Sequence, residues 1–417
     1  MTKDEFVNIC LKGKSSIYCL VGPNTTGKTY LLNKTFDSIE GKSLFIDEDG
    51  DVISKNLKRT SEFANNQFIY FDESQRGKDN QNFETECATK NSLKIRNYIL
   101  NLKNKIPTKY KSLGSKKLLN ILDYLLSYNL NNVDYIFFDE PENSLDDENL
   151  KNIKMIFDVL QDNSKHIIMV THSPRLLELM SISIDDIYIK TGLFKEIRHI
   201  KKKDLLEKLK QYGEDVSKLN SFNQLPRQKR LFFENNNELS NLYLNTLLTS
   251  FEFYKTLFYS SVIIVEGQTE LFITKYLSNN IPVTNNYFVA NGKFRIGFLI
   301  DLFTMTANQV TCFIDSDIKD EGQASISAYL TNYIENKQTN NKKLKVISIP
   351  YDVERFLEIN KVEIVRSIIN GNPSESLVEK FYKEYKAYCA IYAIENKPEA
   401  YELAKKLFVN DEEYTFK

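Results

Sequence analysis

A glycine-rich loop near the start of the sequence has the residue types and the spacing that bind phosphate. Residues 22–29 read GPNTTGKT, a complete G-x-x-x-x-G-K-[ST] pattern between an apolar run and a helical pattern. In such a loop the backbone N–H groups wrap the phosphates, the lysine reaches the β- and γ-phosphates, and the hydroxyl binds Mg²⁺. We therefore predict a site for ATP and Mg²⁺. Its predicted cofactor-binding residues are Gly22, Pro23, Asn24, Thr25, Thr26, Gly27, Lys28, Thr29 and Tyr30.

A second motif is an apolar run that ends in two carboxylates. Residues 135–140 read YIFFDE, which predicts a buried strand with Asp139 and Glu140 at its tip. In P-loop ATPases such carboxylates hold Mg²⁺ and prepare the attacking water. Asp139 is therefore predicted to hold Mg²⁺ through its waters, and Glu140 to polarise the attacking water. A strand that ends in Asp-Glu is common by itself, but its pairing with the loop at 22–29 favours this function.

The residues that follow this strand resemble ABC ATPases. Residues 141–146 (PENSLD) are similar to the D-loop of that family, and residues 170–174 (VTHSP) place His172 where the family has its switch histidine. The resemblance implies that His172 contacts the γ-phosphate and reports hydrolysis to neighbouring loops. It also implies a metal-sensing glutamine between the loop and the signature helix, for which Gln75 is the candidate and Gln67 its rival.

The signature sequence of ABC ATPases has a partial counterpart at residues 111–116 (KSLGSK). Ser112 and Gly114 match the family pattern, whereas Leu113 and Ser115 depart from it. In that family the signature caps ATP bound to the opposite subunit. The resemblance therefore implies nucleotide contact by Ser112 and Gly114, and a homodimer or higher homo-oligomer.

The C-terminal half contains a second acidic constellation. Residues 262–270 (VIIVEGQTE) place Glu266 on a glycine turn after an apolar run and Glu270 one helical turn later, and residues 310–317 (VTCFIDSD) end in Asp315 and Asp317. Alternate residues of a strand point the same way, so both aspartates face one ion, with Glu266 opposite them on the adjacent strand. Four such carboxylates repel one another unless divalent cations neutralise them. We predict one or two Mg²⁺ or Mn²⁺ ions that activate water for phosphodiester cleavage.

These motifs resemble the TOPRIM domain of OLD-family nucleases. The resemblance implies that Asp352 and Glu354 bind the metal or support its ligands, and that Lys397 steadies the phosphate. Residues 291–293 (NGK) have two interpretations, a phosphate contact or a simple turn at a strand end. The order of an ABC-type ATPase followed by TOPRIM implies an ATP-regulated DNA endonuclease, with a role in defence against phage, and companion proteins are compatible with it.

Two other functions remain open at this point. In one alternative, the substrate of the TOPRIM chemistry is RNA, for instance tRNA. This alternative is open because no motif in the sequence distinguishes a 2′-hydroxyl. In the other, the chain is a DNA-binding ATPase switch whose carboxylates do not cleave. A cleavage assay on DNA and RNA, with and without ATP, separates the three hypotheses.

The elements that position these motifs follow an α/β pattern. Strands are predicted at residues 16–21, 43–46, 68–71, 135–138, 166–170, 262–265, 287–290, 310–314, 344–349 and 390–394, with helical patterns between them. Three motifs of the first half stand at strand ends, where ligands of open α/β sheets gather. We predict an ABC-type P-loop ATPase domain at 1–204, a helical connector or dimerisation element at 205–256, and a Rossmann-like TOPRIM domain at 257–417.

Composition limits the remaining possibilities. The 417 residues include five scattered cysteines and three histidines, which argues against a disulfide framework and against zinc. A net charge of −1 gives no global attraction to nucleic acid, so a DNA-binding surface would be local. The absence of a run of roughly 18 apolar residues and of a signal peptide predicts a cytoplasmic protein with no membrane partner.

Overall fold

The computed structural model describes residues 1–13, 15–57, 90–106, 112–234, 237–278, 286–316 and 326–409. Its internal contacts divide the chain into two compact units. The first unit comprises residues Met1–Ile200 and Thr249–Tyr254, and the second comprises Lys201–Leu248 and Lys255–Lys417. The three-part division predicted from the sequence stays a prediction.

The first unit is built on a mostly parallel seven-stranded sheet in the order β3-β2-β4-β5-β1-β6-β7. The strands are β1 (Ile17–Val21), β2 (Ser43–Ile46), β3 (Val52–Lys55), β4 (Tyr135–Asp139), β5 (His166–Val170), β6 (Ile187–Lys190) and β7 (Ile197–His199). The two outer pairs, β2 with β3 and β6 with β7, are antiparallel. In the centre, β1 pairs in parallel with β5 on one side and with β6 on the other. The loop after β1 therefore lies at the middle of the sheet's carboxyl edge.

Helices connect these strands. Those of the first unit are α1 (Lys3–Lys12), α2 (Lys28–Ser38), α3 (Lys90–Lys105), α4 (Leu113–Ser127), α5 (Asp147–Asp162) and α6 (Pro174–Met180). One apolar core lies between the sheet and α1 and α2, where the ring of Phe36 is 5.4 Å, centroid to centroid, from both Phe45 and Phe137. Burial of such large aromatic side chains on both elements fixes α2, and with it the loop that precedes α2, against the sheet.

The second unit contains a separate sheet of four parallel strands in the order β11-β10-β8-β9. These strands are β8 (Ser261–Val265), β9 (Asn286–Val289), β10 (Gln309–Asp315) and β11 (Leu344–Ile349). The remaining helices are α7 (Lys202–Ser217), α8 (Arg227–Phe233), α9 (Asn237–Leu248), α10 (Phe251–Thr256), α11 (Gln268–Ser278), α12 (Lys293–Thr306), α13 (Ile326–Thr339), α14 (Val353–Phe356), α15 (Lys361–Ile369), α16 (Glu375–Glu384), α17 (Lys386–Asn396) and α18 (Pro398–Phe408). Of these, α10 belongs mostly to the first unit, which includes Thr249–Tyr254.

The core of the second unit joins this sheet to the C-terminal helices. It includes Ile263, Val265, Ile273, Phe313, Ile347, Ile349, Phe356, Ala390, Ile394 and Phe408. Helix α7 also packs within this unit, since Tyr212 donates a hydrogen bond to the carbonyl of Phe294 at 2.9 Å. A Cβ atom on Gly297 would lie 2.3 Å from the Tyr212 ring, so only glycine permits this approach.

The α/β class predicted from the sequence is confirmed. Eight of the predicted strands are present within one residue of the expected bounds, and residues 68–71 lie outside the described residues. The strand predicted at 390–394 is wrong, because these residues form part of α17. The buried residues of α17 include Cys389, Ala390, Ala393 and Ile394, which have helical spacing and cover one face. Among the helices in the described part of the chain, none has the length and apolar character needed to cross a membrane.

Candidate functional site

The phosphate loop follows β1 and requires glycine at both ends. Gly22 has φ 141° and passes so close to β6 that a Cβ atom would lie 2.1 Å from the carbonyl oxygen of Lys190. Gly27 has φ 79° and precedes the first turn of α2. Because residues with a Cβ atom rarely adopt these conformations, the sequence pattern and the loop geometry agree.

Lys28 is held inside the phosphate loop. Its ammonium group donates hydrogen bonds to the carbonyls of Gly22 (3.0 Å) and Pro23 (2.8 Å). Burial lowers the pKa of Lys28 to about 8, an effect that the carboxylates of Glu140 and Asp139 oppose. Because its hydrogen-bond partners within the described residues are neutral carbonyls, this buried lysine is well placed to accept an anionic phosphate.

Thr29 and Asp139 bring two oxygen ligands together. The Thr29 hydroxyl donates to a carboxylate oxygen of Asp139 at 3.2 Å, which links the start of α2 to the tip of β4. Burial raises the pKa of Asp139 to about 6. Hard oxygen donors of this kind suit Mg²⁺, which keeps several waters and takes one or two protein ligands in nucleotide sites. The predicted ligand pair therefore fits Mg²⁺.

Glu140 and His172 face each other beside the phosphate loop. Glu140 Oε1 is 2.8 Å from His172 Nε2, and burial lowers the pKa of His172. The neutral imidazole therefore donates to the carboxylate. A cavity of about 490 Å³ is lined by Asn24, Thr25, Gly27, Lys28, Thr29, Glu140 and His172. The structure thus brings the candidate general base and the candidate γ-phosphate sensor to the loop that binds phosphate.

Two residues that the sequence analysis did not assign hold the surrounding loops. Glu142 Oε1 accepts hydrogen bonds from the Thr171 hydroxyl (2.6 Å) and from the His172 backbone N–H (2.7 Å). Lys117 of α4 donates to the carbonyls of Glu140 (3.0 Å) and Asn143 (3.2 Å). The residues that Glu142 and Lys117 contact are distant from them in the sequence, so no local sequence pattern indicates that these two side chains hold the loops.

The residues of the partial signature begin helix α4. The Ser112 hydroxyl accepts a hydrogen bond from the Ser115 N–H at 3.1 Å and caps the helix. A Cβ atom on Gly114 would lie 2.5 Å from the carbonyl oxygen of Ser144, so the helix end closely approaches the loop at 141–146. Leu113 is 75% exposed. Gln75 and Gln67 lie outside the described residues.

A second cluster of charged groups lies at the carboxyl ends of β8 and β10. Glu266 directly follows β8, and Asp315 is the last residue of β10. The two strands are neighbours in the sheet, where Cys312 pairs with Ile264. Glu270, in the first turn of α11, is buried and accepts a hydrogen bond from the Gly267 N–H at 3.0 Å. The pairing of parallel strands explains why residues about fifty positions apart meet here.

The electrostatics of this cluster favour a bound cation. Burial, then the charges of Glu270 and Glu266, raise the pKa of Asp315 to about 9. Asp315 Oδ1 is buried and has no hydrogen-bond partner among the described residues. A buried acceptor beside two other carboxylates is costly without a cation. Within the described ranges, however, no three acidic, histidine or cysteine side chains form a ready metal-binding group, and Asp317 lies outside these ranges.

Two lysines adjoin this acidic cluster. Lys293, which is buried, donates to the Asp315 carbonyl at 2.5 Å and lies 4.0 Å from Glu266 Oε2. Lys386 of α17 forms an ion pair with the buried Glu354 at 2.7 Å. Lys293 therefore does more than occupy a strand-end turn, and Lys386 had no motif in the sequence to indicate it.

The other predicted residues of the second unit have local contacts. Asp352 caps α14 by accepting a hydrogen bond from the Arg355 N–H at 2.8 Å. Lys397 stands between α17 and α18 and forms an ion pair with Glu363 at 2.9 Å. The contact found for Lys397 is thus with helix α15, whereas Lys386 has the contact with Glu354.

Comparison with known proteins finds a similarity to one family model over part of the chain. Residues 30–178 match the family model described as an AAA domain, putative AbiEii toxin, Type IV TA system. This range begins directly after the phosphate loop and includes Asp139, Glu140 and His172. No curated protein matches the chain. Together with the complete phosphate loop at 22–29, the match shows that the chain contains a P-loop ATPase domain of the AAA type, which uses ATP and Mg²⁺.

Proposed function

We propose that this protein is an ATP-regulated, divalent-metal-dependent DNA endonuclease of the OLD type, with a TOPRIM-like second unit. The observation that carries the proposal is the convergence of Glu266, Glu270 and Asp315 at the carboxyl ends of two paired parallel strands. Asp315 also has the raised pKa and the unpartnered buried oxygen described above. Ionisable groups with strongly shifted pKa values cluster at functional sites.

Glu266, Glu270 and Asp315, with Asp317 as the sequence motif predicts, would hold one or two Mg²⁺ or Mn²⁺ ions. Bound there, such ions supply an activated water and stabilise the leaving oxygen of a phosphodiester. Among the residues that the structure describes, Lys293 and Lys386 supply positive charge beside the same cluster. We assign to them the task of positioning a phosphate and offsetting its charge, since lysine binds phosphate as a point charge.

ATP has a regulatory role in this proposal. Two chains dimerise through their ATPase domains, and their nucleotide state controls access of DNA to the carboxylate cluster. The exposed Leu113 and the capped start of α4 support a surface that meets a second copy. A role in defence against phage, with or without a companion protein, follows from the OLD resemblance.

The test is a cleavage assay of the purified full chain on plasmid DNA and on total RNA, with Mg²⁺ or Mn²⁺, and with or without ATP. Metal-dependent nicking of DNA is expected. Glu266→Ala should abolish nicking and leave ATP hydrolysis unchanged, whereas Lys28→Ala should abolish ATP binding. Nicking that survives in Glu266→Ala rejects the cluster as the site.

Two other outcomes would replace the proposal with its alternatives. Cleavage of RNA but not DNA would change the substrate and retain the site. ATP hydrolysis without cleavage of either nucleic acid would leave a nucleotide-driven switch. A Lys397→Ala variant is the control for the lysine variants, because the observed partner of Lys397 is Glu363.

A further inference from the structure

A second cavity adjoins the phosphate loop. It has a volume of about 240 Å³ and is lined by residues 1–3 and 193–197, which include most of the turn at residues 191–196 between β6 and β7. The Leu193 Cδ1 atom is 3.1 Å from the position that a Cβ atom would take on Gly27, so this turn contacts the phosphate loop. Phe194, in the same turn, is 97% exposed. The structure thus presents an exposed aromatic ring at a cavity beside the nucleotide site.

A buried lysine holds the turn that carries Phe194. Lys190 is fully buried, and its ammonium group donates to the carbonyls of Gly192 (3.0 Å), Leu193 (3.4 Å) and Lys195 (3.2 Å). The carbonyl of Lys190 is also the group that Gly22 approaches closely. Because one buried cation binds three carbonyls of the turn, the exposure of Phe194 is a built feature of this surface.

The position of the turn matches the base end of a bound nucleotide. Glu140 and His172, the residues for the γ-phosphate end, follow β4 and β5 on one side of β1. The turn at 191–196 lies between β6 and β7, on the other side of β1. A nucleoside triphosphate is an elongated molecule, so a γ-phosphate on the first side directs its base toward the second side.

We propose that Phe194 stacks on the adenine of the ATP whose phosphates the loop at 22–29 binds. The proposal rests on ATP binding by that loop. Tyr30 flanks the same region, since it is 62% exposed and the Lys3 ammonium lies 5.1 Å from its ring centroid. Stacking on an aromatic side chain is a recognised means of binding a base, because every base has a π-face.

The test compares ATP with inorganic tripolyphosphate, which has the phosphates but no base. In calorimetric titrations with Mg²⁺, Phe194→Ala should weaken ATP binding about tenfold and leave tripolyphosphate binding unchanged. Phe194→Trp should restore ATP binding. Tyr388→Ala, which removes an aromatic side chain that is 61% exposed in the second unit, is the matched control and should bind ATP like the native chain.

Three outcomes overturn the proposal. Native ATP affinity in Phe194→Ala shows that no stacking occurs, and equal loss of ATP and tripolyphosphate shows that the turn acts only through the phosphate loop. If the native chain binds neither ligand, the assignment of the phosphate loop itself fails, and the base subsite fails with it.

Discussion

Glu142 connects two loops of the nucleotide site through a single carboxylate oxygen. One oxygen accepts both the Thr171 hydroxyl and the His172 N–H, and the other is buried without a hydrogen-bond partner among the described residues. Burial raises the pKa of Glu142. The carboxylate thereby fixes the backbone from which His172 reaches Glu140, and it acts as a positioning residue for the ATP reaction.

We expect Glu142→Ala to slow ATP hydrolysis. The substitution leaves the Thr171 hydroxyl and the His172 N–H without their acceptor, which costs about 1–3 kcal/mol of unfolding free energy. A displaced His172 should lower kcat roughly 10- to 100-fold, while KM for ATP changes little because Lys28 is untouched. Steady-state kinetics and thermal unfolding measure both effects. Glu142→Gln retains a carbonyl acceptor and should recover most of the activity; native kcat in Glu142→Ala contradicts the prediction.

Lys386 is one of the two lysines beside the acidic cluster of the second unit. Burial acts to lower the pKa of Lys386, but its ion pair with the buried Glu354 and the charges of Asp315 and Glu270 outweigh that effect and raise the pKa. We expect Lys386→Met to reduce DNA nicking about 100-fold, because one cation at the phosphate is removed. The loss of stability should be about 1 kcal/mol, since Lys386 is half exposed and solvent screens the pair. Lys397→Met is the control, and a larger loss of nicking in that variant would favour Lys397 instead.

The start of helix α4 is in close contact with the loop at residues 141–146 and with the end of β4. Gly114 lets the start of the helix approach the Ser144 carbonyl, and Lys117 binds two other carbonyls of residues 140–143. The beginning of one helix is therefore tied to the loop that carries Glu140 and Glu142. A shift of this helix should change the geometry of the hydrolytic site.

We expect Gly114→Ala to disturb this pair of elements. The new methyl group would lie 2.5 Å from the Ser144 oxygen and 3.3 Å from Leu145 Cα, an overpacked contact that costs about 1–3 kcal/mol. Thermal unfolding should show the loss, and ATP hydrolysis should fall with it. Gly371→Ala is a matched control, because no atom lies within 4 Å of its Cβ position. Equal stability of the two variants would show that the approach of α4 to the loop is unimportant.

The whole molecule is expected to dimerise when ATP is bound. In the proposal, the start of α4, which resembles the ABC signature, contacts the ATP bound to the other subunit. Leu113 at this position is 75% exposed. A site completed by a second copy would make ATP hydrolysis depend on protein concentration.

We expect Glu140→Gln to accumulate as an ATP-bound dimer, because the carboxylate that polarises the attacking water is absent. Light scattering with ATP and Mg²⁺ measures the mass. Adding Leu113→Asp should return the protein to a monomer, since an unpaired carboxylate would be buried at the interface. Leu242→Asp, at a side chain that is 64% exposed in the second unit, should remain dimeric. A mass that is independent of ATP would rule out this assembly.

The sequence alone determined the parts of this protein that depend on short-range patterns. Gly22 and Gly27 stand at positions where φ is positive, and apolar runs followed by Asp-Glu or Asp-x-Asp predict strands with carboxylates at their ends. These patterns are local, so strands, motifs and the α/β class could be predicted from them. The same local reasoning failed at 390–394, where an apolar run too short to show its period proved to be helical.

Only the tertiary structure decided which distant residues complete these sites. Glu142 with Thr171, Lys386 with Glu354, and Lys190 beneath the turn of Phe194 are side-chain contacts that no spacing indicates. The reason is physical: strand pairing brings motif ends together, but the cation or acceptor that a buried charge needs comes from whichever element packs beside it. That choice is made by packing of the whole unit and leaves no pattern in the sequence.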